Sequence, residues 1–373
     1  MNRLFFDLIK VSIGKAGCLS HSPNADGWSE LYAMAKKQSL VGVCFAGVQR
    51  LQQQQQEPPE MLYLTWMGMA AKIQQRNEAV NRQCVDLQKR LAADGFRNCV
   101  LKGQGVGQLY KSMVSDVSGV SKVSDLSGLR QSGDIDCWVE GGFEKVNAWA
   151  QKIAPSKEIN QHHIHFDIYD ETEVELHYYP FNLTSPSKNR ILSRFFKEQE
   201  ESCFTNESSL GFCVPTSEFN LVFLMVHIFH HLFTEGVGLR QLMDYHFVLK
   251  HEIEVEKGLS VKNVKECISS LGLNRFASAL MWVLGEVFGL EQEQMLWEPN
   301  KEDGVFLLEE VMLSGNFGKQ DARQKGLYDS KWNSFWLVHG KTFRFWRFDH
   351  WAWFWSPIHR VRSKIWQLKR GYK

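Results

Sequence analysis

This chain lacks the features that mark secreted, disulfide-bonded and membrane-spanning proteins. Its eight cysteines form no Cys-x-x-Cys pair and are scattered through apolar surroundings, so we expect reduced thiols and no disulfide framework. It has no uninterrupted apolar run of about 18 residues, so we expect no transmembrane helix. The apolar stretch near the N-terminus is broken by Asp7 and Lys10 and does not have the continuous core of a secretory signal. We therefore expect a cytoplasmic protein.

The chain also lacks an excess of charge of either sign. Its 373 residues include 43 Lys and Arg against 42 Asp and Glu, which gives a formal net charge of +1. Such a balance produces no global field that would attract nucleic acid, and we find no signal for DNA binding. With 44% hydrophobic and 23% charged residues, the composition is that of an ordinary globular protein long enough to build a large core.

Hydrophobic periodicity divides the chain into three predicted regions. Residues 1–94 have helical periods and include a long amphipathic segment that ends at Gly95. Residues 95–182 alternate short apolar runs with turns, a pattern typical of strands joined by short helices. Residues 183–373 return to helical periods and end in a Trp-rich basic tail. We therefore predict an α+β fold, in which a small mixed β-sheet is flanked by N-terminal and C-terminal helical regions.

Two aspartates stand at the head of one predicted strand, in the stretch GDIDCWV. Asp134 and Asp136 are two residues apart and point to the same side of a strand. Like charges this close repel unless a cation lies between them, and Mg²⁺ binds one or two carboxylates together with phosphate oxygens and water. A third carboxylate is expected from TEVELHYY, where Glu175 is central on the polar face beside His177, with Asp167 as the alternative. A solvated strand edge is the competing interpretation of the pattern.

A glycine turn after the first predicted strand, in VLKGQG, indicates a phosphate site. Gly103 would let the backbone approach a phosphate closely, and the N–H groups of the residues that follow would face it. Lys102 could reach the phosphates as a point charge, and Arg130 could do the same or brace the carboxylates. Together with Gln104, these residues form the predicted nucleotide-binding set.

The ordered set LKG, GDID and VELH resembles the polymerase-β-type nucleotidyltransferase superfamily, and more closely the bacterial uncharacterised nucleotidyltransferase family (NTP_transf_5 type). The resemblance spans most of the chain, including HHLFTEGVGLRQLMD after the sheet. It implies a phosphate turn at Lys102 and Gly103, and two Mg²⁺ ions on Asp134, Asp136 and Glu175. It also implies transfer of a nucleoside monophosphate from an NTP to a hydroxyl acceptor, which could be a protein, an RNA end or a small molecule.

The sequence departs from the superfamily pattern in two places. Gly103 is followed by Gln104, where the superfamily has Ser or Gly, and residues 112–129 are inserted between the turn and the aspartates. The missing Gly-Ser turn keeps open the alternative of a catalytically inactive relative that binds a nucleotide or a partner, and the insertion leaves open whether its loop folds over the substrate.

Two histidine groups and the tail carry further alternatives. The first group is His162, His163 and His165. The second group is His227, His230 and His231, whose i, i+3, i+4 spacing suits zinc. Because no acidic or cysteine ligand lies at a matching spacing, we expect this segment to be a buried helix with one polar histidine edge. Seven of the 13 tryptophans fall between Trp332 and Trp366 among Arg and Lys residues. That tail could contact a membrane surface weakly or stack on nucleotides, although we favour packing of its aromatic rings on the protein body.

Overall fold

The structure is a computed structural model that describes residues 2–115, 121–156, 158–318 and 340–370. Helices come first, then a small sheet, then helices again, as predicted. The helices are α1 (Asn2–Ser12), α2 (Ala25–Lys37), α3 (Val41–Gln52), α4 (Glu60–Ala93), α5 (Lys102–Gly107), α6 (Gly142–Ile153), α7 (Pro186–Thr205), α8 (Ser217–Phe233), α9 (Leu239–Glu254), α10 (Val261–Ser270), α11 (Asn274–Phe288), α12 (Lys301–Ser314) and α13 (Ala352–Lys369). The strands are β1 (Asn98–Leu101), β2 (Lys111–Ser115), β3 (Ser121–Asp125), β4 (Ile135–Val139), β5 (His163–His165) and β6 (Val174–His177).

Four of the strands form one mixed sheet in the order β1-β4-β6-β5. Strand β4 is antiparallel to β1 and parallel to β6, and β6 is antiparallel to β5. The predicted α+β class is therefore confirmed, and the last two strands form a β-hairpin. In the hairpin, His163 lies opposite His177 and His165 lies opposite Glu175.

The two faces of this sheet differ in chemistry because side chains alternate along each strand. One face is apolar and packs against α4 and α6 through Val100, Cys137, Ile164 and Leu176, among others. On the other face, Trp138 stacks on Phe219 of α8 with ring centroids 5.4 Å apart. Cys99 and Leu101 of β1 also lie on that second face, and the candidate site lies on its polar part, which β4, β6 and β5 form.

The helices on either side of the sheet share one large core. Helix α1 packs against α11, and buried residues of α1, α3, α8 and α9 belong to the same cluster. The predicted boundaries at residues 94 and 182 remain predictions. No helix in the described part of the chain combines the length and the hydrophobicity needed to cross a membrane.

Several local features follow from the sequence. The predicted amphipathic segment before Gly95 is helix α4, which buries a stripe of Ile73, Val80, Cys84, Leu87 and Leu91. Thr216 caps α8, because its side chain accepts a hydrogen bond from Phe219 N at 3.2 Å. All eight cysteines are free thiols.

The predicted insertion at 112–129 contains the antiparallel pair β2–β3, which forms a second, two-stranded sheet. Arg50 of α3 donates to Ser124 Oγ at 2.7 Å and so ties this hairpin to the N-terminal helices. Residues 116–120 of the insertion and residues 319–339, which include part of the Trp-rich tail, lie outside the described residues.

Candidate active site

The turn between β1 and α5 has a backbone that favours glycine. Lys102 and Gly103 both have positive φ angles, 42° and 25°, in the region where a Cβ is strained. Gly105 is required for a different reason, because a Cβ there would lie 2.1 Å from the carbonyl oxygen of Val100. The turn directs the Lys102 side chain across the sheet, where its Nζ lies 2.7 Å from Asp136 Oδ1.

Two carboxylates stand side by side on the polar face. Strands β4 and β6 pair in a register that places Asp136 next to Glu175. Both carboxylates contact one imidazole nitrogen: His177 Nε2 lies 3.0 Å from Asp136 Oδ1 and 3.2 Å from Glu175 Oε2. The other ring nitrogen, Nδ1, lies 3.2 Å from the carbonyl oxygen of Pro180. Since all three partners are acceptors, both ring nitrogens donate and His177 is an imidazolium.

Asp134 lies immediately before β4, and this residue is exposed. Its pKa is raised, chiefly by the negative charge of Asp136. The three predicted acidic residues therefore act on one another electrostatically, although only Asp136 and Glu175 share a direct hydrogen-bond partner.

Opposing charges balance the buried pair. Burial disfavours the charged form of Lys102, but Asp136, Asp134 and Glu175 outweigh that effect and raise the pKa of the ammonium group. Burial likewise opposes ionisation of Asp136, but Lys102 and His177 lower its pKa. The pKa of Glu175 is lowered because His177 outweighs the effect of burial. Conversely, the hydrogen bonds that His177 donates to the two carboxylates overcome the effect of burial and raise the pKa of His177 to about 9.

The α8 histidines approach the same site from the C-terminal helices. His227 Nε2 lies 3.3 Å from Lys102 Nζ and 3.0 Å from His231 Nε2. Burial holds the pKa of His227 well below its ordinary value, so this ring is neutral beside the ammonium group. This arrangement agrees with the predicted buried helix with one polar histidine edge. No sequence pattern indicated that these histidines lie next to Lys102.

Two residues of the predicted nucleotide-binding set have other partners. The Gln104 side chain is buried and donates to Asn81 Oδ1 of α4. The guanidinium group of Arg130 forms a bidentate ion pair with Asp244 of α9, with both N–O distances 2.7 Å and both side chains 5% exposed. Tyr110 also donates to Asp244 Oδ1, at 2.6 Å. Both side chains are thus engaged within the fold, and a role for Arg130 or Gln104 at the phosphate site stays a prediction.

Carboxylates in this arrangement fit a divalent cation. The side-chain oxygen or nitrogen atoms of Asp136, Glu175 and His177 all lie within 4.8 Å of one another, and the two carboxylates offer donor atoms, whereas the imidazolium of His177 would first have to lose a proton. Asp136 Oδ1 is already contacted by Lys102 and His177, so an ion would enter by displacing one of these cationic groups. Two further groups of this kind among the described residues are His162–His163–His177 and His163–His165–Glu175; none of the three contains an α8 histidine. The alternative acid, Asp167, is exposed beyond the end of β5 and belongs to none of them.

The histidines of the β5–β6 hairpin contribute more to the site than the sequence analysis indicated. His177 links the two carboxylates, and His163 and His165 stand opposite His177 and Glu175 on the neighbouring strand. The signal was present in the sequence, because His163 and His165 alternate with apolar residues in the same period as Glu175 and His177.

Part of the Trp-rich tail packs on the body of the protein, and part does not. Phe345 and Phe348 are buried in the main core. Trp351 is 67% exposed, and Trp353 and Phe354 are also exposed. Packing on the body, the interpretation we favoured, thus holds for only part of the tail, and a contact with a membrane surface or a nucleotide stays a prediction.

A family model described as "Uncharacterised nucleotidyltransferase" matches residues 24–289. The match includes the turn after β1, the aspartates of β4, the hairpin and helices α8 to α11. No curated protein and no solved structure matches the chain.

Proposed function

This chain belongs to that uncharacterised nucleotidyltransferase family, and from this premise we propose that it transfers a nucleoside monophosphate from an NTP to a hydroxyl acceptor. The observation that carries the proposal is the pairing of Asp136 with Glu175 on adjacent parallel strands, both held by His177. Carboxylates withdrawn from solvent repel each other and cost free energy, so the alignment of two of them on adjacent strands supports a role in chemistry.

In this proposal Asp134, Asp136 and Glu175 hold divalent cations, with Mg²⁺ as the physiological ion. Their oxygen atoms are the hard ligands that Mg²⁺ prefers. When bound there, the cations would neutralise phosphate charge and lower the pKa of the acceptor hydroxyl. His177 keeps Asp136 and Glu175 in position through its two hydrogen bonds.

Lys102 is the proposed phosphate-binding residue. Its side chain is 18% exposed, and its Nζ is anchored 2.7 Å from Asp136 Oδ1. A largely buried ammonium group fixed at this place offers a positive charge to the phosphates at little cost in side-chain entropy. The backbone at Gly103 turns beside it without a side chain that would obstruct a phosphate.

Asp134 is the proposed acceptor of the hydroxyl proton. The residue is exposed, so an acceptor from solvent could reach it, and its pKa is raised, chiefly by the charge of Asp136. The pKa of Glu175 is lowered, which makes that carboxylate the weaker base of the two.

The test is label transfer from each of the four α-³²P-labelled NTPs, with Mg²⁺ and a cell lysate as the source of acceptor. We expect labelling by wild-type protein with at least one NTP, and a loss on the order of 100-fold or more in Asp136→Asn. Asp167→Asn is the matched control, because it removes an exposed carboxylate of the same hairpin and should label normally. Equal labelling by wild type and Asp136→Asn would refute the proposal. No labelling with any NTP would also count against it and favour an inactive relative.

A further inference from the structure

A second set of donor atoms adjoins the carboxylates, on the outer strand of the sheet. Strand β5 places His163 and His165 on the same face as Glu175, and His165 lies directly opposite Glu175 in the register. His163 is buried, whereas the side chain of His165 is 25% exposed. The set therefore lies at the edge of the site and opens to solvent on one side.

The distances within this set approach those of a metal centre. His163 Nδ1 lies 3.5 Å from Glu175 Oε2, and His165 Nε2 lies 4.0 Å from Glu175 Oε1. The donor atoms of all three residues lie within 4.8 Å of one another. A tetrahedral ion with bonds of 2.0–2.1 Å holds its donors about 3.4 Å apart. Ångström-scale side-chain adjustments would complete such a set, with His165 free to move because it is partly exposed.

An unpartnered buried nitrogen points independently to a ligand. His163 Nδ1 is buried and has no hydrogen-bond partner among the described residues. The other nitrogen of this ring, Nε2, lies 2.7 Å from the side-chain amide of Asn160. With the amide oxygen turned to that nitrogen, Asn160 would accept from Nε2–H and leave the Nδ1 lone pair directed at Glu175. Histidines that bind metals are commonly oriented by such a second hydrogen bond.

We propose that His163, His165 and Glu175 form a second cation site, which binds a transition-metal ion of the zinc class. Two imidazoles and one carboxylate suit zinc and its first-row neighbours, whereas Mg²⁺ prefers oxygen ligands alone. Three protein ligands leave a fourth position open to water or substrate. The exposed carboxylate of Glu158, whose Oε2 lies 3.9 Å from His165 Nε2, is a candidate for a further ligand.

His177 is excluded from this site by its own bonds. Its two nitrogens are engaged with Asp136, Glu175 and Pro180, whereas His163 Nδ1 is not so engaged. Glu175 is thus the residue common to the two sites. The imidazole site itself does not depend on the proposed transferase activity; the sharing of Glu175 between two ions does rest on that function.

The test is titration of the full-length chain, free of any histidine tag and stripped with a chelator, with Co²⁺ as a spectroscopic probe. Tetrahedral Co²⁺ has visible bands that distinguish it from hydrated Co²⁺. We expect one equivalent to bind with such bands and Zn²⁺ to displace it, while excess Mg²⁺ does not. His165→Ala, which alters a partly exposed side chain, should weaken binding roughly 100-fold or more, since loss of orienting partners alone costs 10–100-fold. His21→Ala removes an exposed histidine outside the helices and strands and should behave as wild type.

Asp136→Asn separates this proposal from the transferase proposal, because it removes a carboxylate of the first site and leaves the imidazole site whole. We expect it to keep the Co²⁺ bands while abolishing label transfer. Bands of equal intensity in wild type and His165→Ala would overturn the proposal, as would their absence from wild type. Loss of the bands in Asp136→Asn with retention in His165→Ala would place the ion on the carboxylates and overturn it as well.

Discussion

The ion pair between Arg130 and Asp244 provides a sharp test of where Arg130 belongs. Both side chains are 5% exposed, and two N–O contacts of 2.7 Å join them. Removing one partner of a buried ion pair leaves the other charge without compensation, which costs about 3–5 kcal/mol. We expect Arg130→Met to lower the free energy of unfolding by that amount, since Asp244 would lose both contacts with the guanidinium group while keeping the hydrogen bond from Tyr110.

The double variant Arg130→Met/Asp244→Asn should recover most of this loss. The amide introduced by Asp244→Asn is neutral and can still accept from Tyr110, and replacement of a whole buried ion pair is often close to neutral. Arg240 remains nearby, but it loses both the repulsion of Arg130 and the attraction of Asp244, two effects of opposite sign. The variant therefore separates the cost of an unpaired charge from the loss of a large side chain.

Urea unfolding followed by tryptophan fluorescence measures these free energies. The control is Arg90→Met, because Arg90 and Asp86 also form a 2.7 Å contact but are 55% and 43% exposed. A surface pair of this kind should contribute about 0–1 kcal/mol. One result would refute the structural role of Arg130. In that result, Arg130→Met is as stable as the wild type but loses NTP binding, and the added Asp244→Asn change does not restore the binding. Arg130 would then be favoured as a phosphate-binding residue.

Two further predictions concern the fold. Burial lowers the pKa of His246 to about 3, so between pH 7 and pH 5 the unfolded chain takes up a proton that the folded chain excludes. Between these pH values the free energy of unfolding should therefore fall by about 2 kcal/mol because of this residue. The variant His246→Leu should lose that part of the pH dependence, and the control His21→Leu should keep it. Parallel profiles of unfolding free energy against pH for the wild type and both variants would contradict the reasoning. Gly105→Ala places a Cβ 2.1 Å from Val100 O and should destabilise by about 1–3 kcal/mol, whereas Gly68→Ala, in the exposed interior of α4 with open space around it, should stabilise by up to about 1 kcal/mol. The melting temperatures of the two variants, measured by thermal unfolding, test this prediction. Equal shifts in melting temperature would show that the structure accommodates the Cβ at position 105 without loss of stability.

The parts of the fold that sequence predicted are those set by local periodicity. The buried stripe of α4, the alternation of β4 and the polar face that Glu175 shares with His177 all follow from spacing of 3.6 or 2 residues. These patterns also predicted that Asp136 and Glu175 lie on polar faces of their strands.

Contacts between distant segments could not be predicted in the same way. Arg130 pairs with Asp244, a residue 114 positions later in the chain. In the sequence Asp134 is only four residues from Arg130, so it looked like the nearer partner. The approach of His227 to Lys102 likewise depends on how α8 crosses the sheet, which no local pattern specifies. The ion pair of Arg130 could therefore not be predicted from its position in the sequence, whereas the alternation along β4 and β6 did indicate the face on which Asp136 and Glu175 lie.

The alignment of the site follows from the same burial that stabilises the sheet. The pairings place Leu101, Asp136, Glu175 and His165 in one row across four strands, and Cys99, Trp138, His177 and His163 in the next. Because side chains alternate, a slip of β6 by one residue would bring Val174 or Leu176 into the row beside Asp136 and move Glu175 into the apolar cluster. That slip would expose two fully buried aliphatic side chains and bury a charge among apolar neighbours. The hydrophobic face thus fixes the register that brings the carboxylates together, and the repulsion between them is balanced locally by Lys102 and His177.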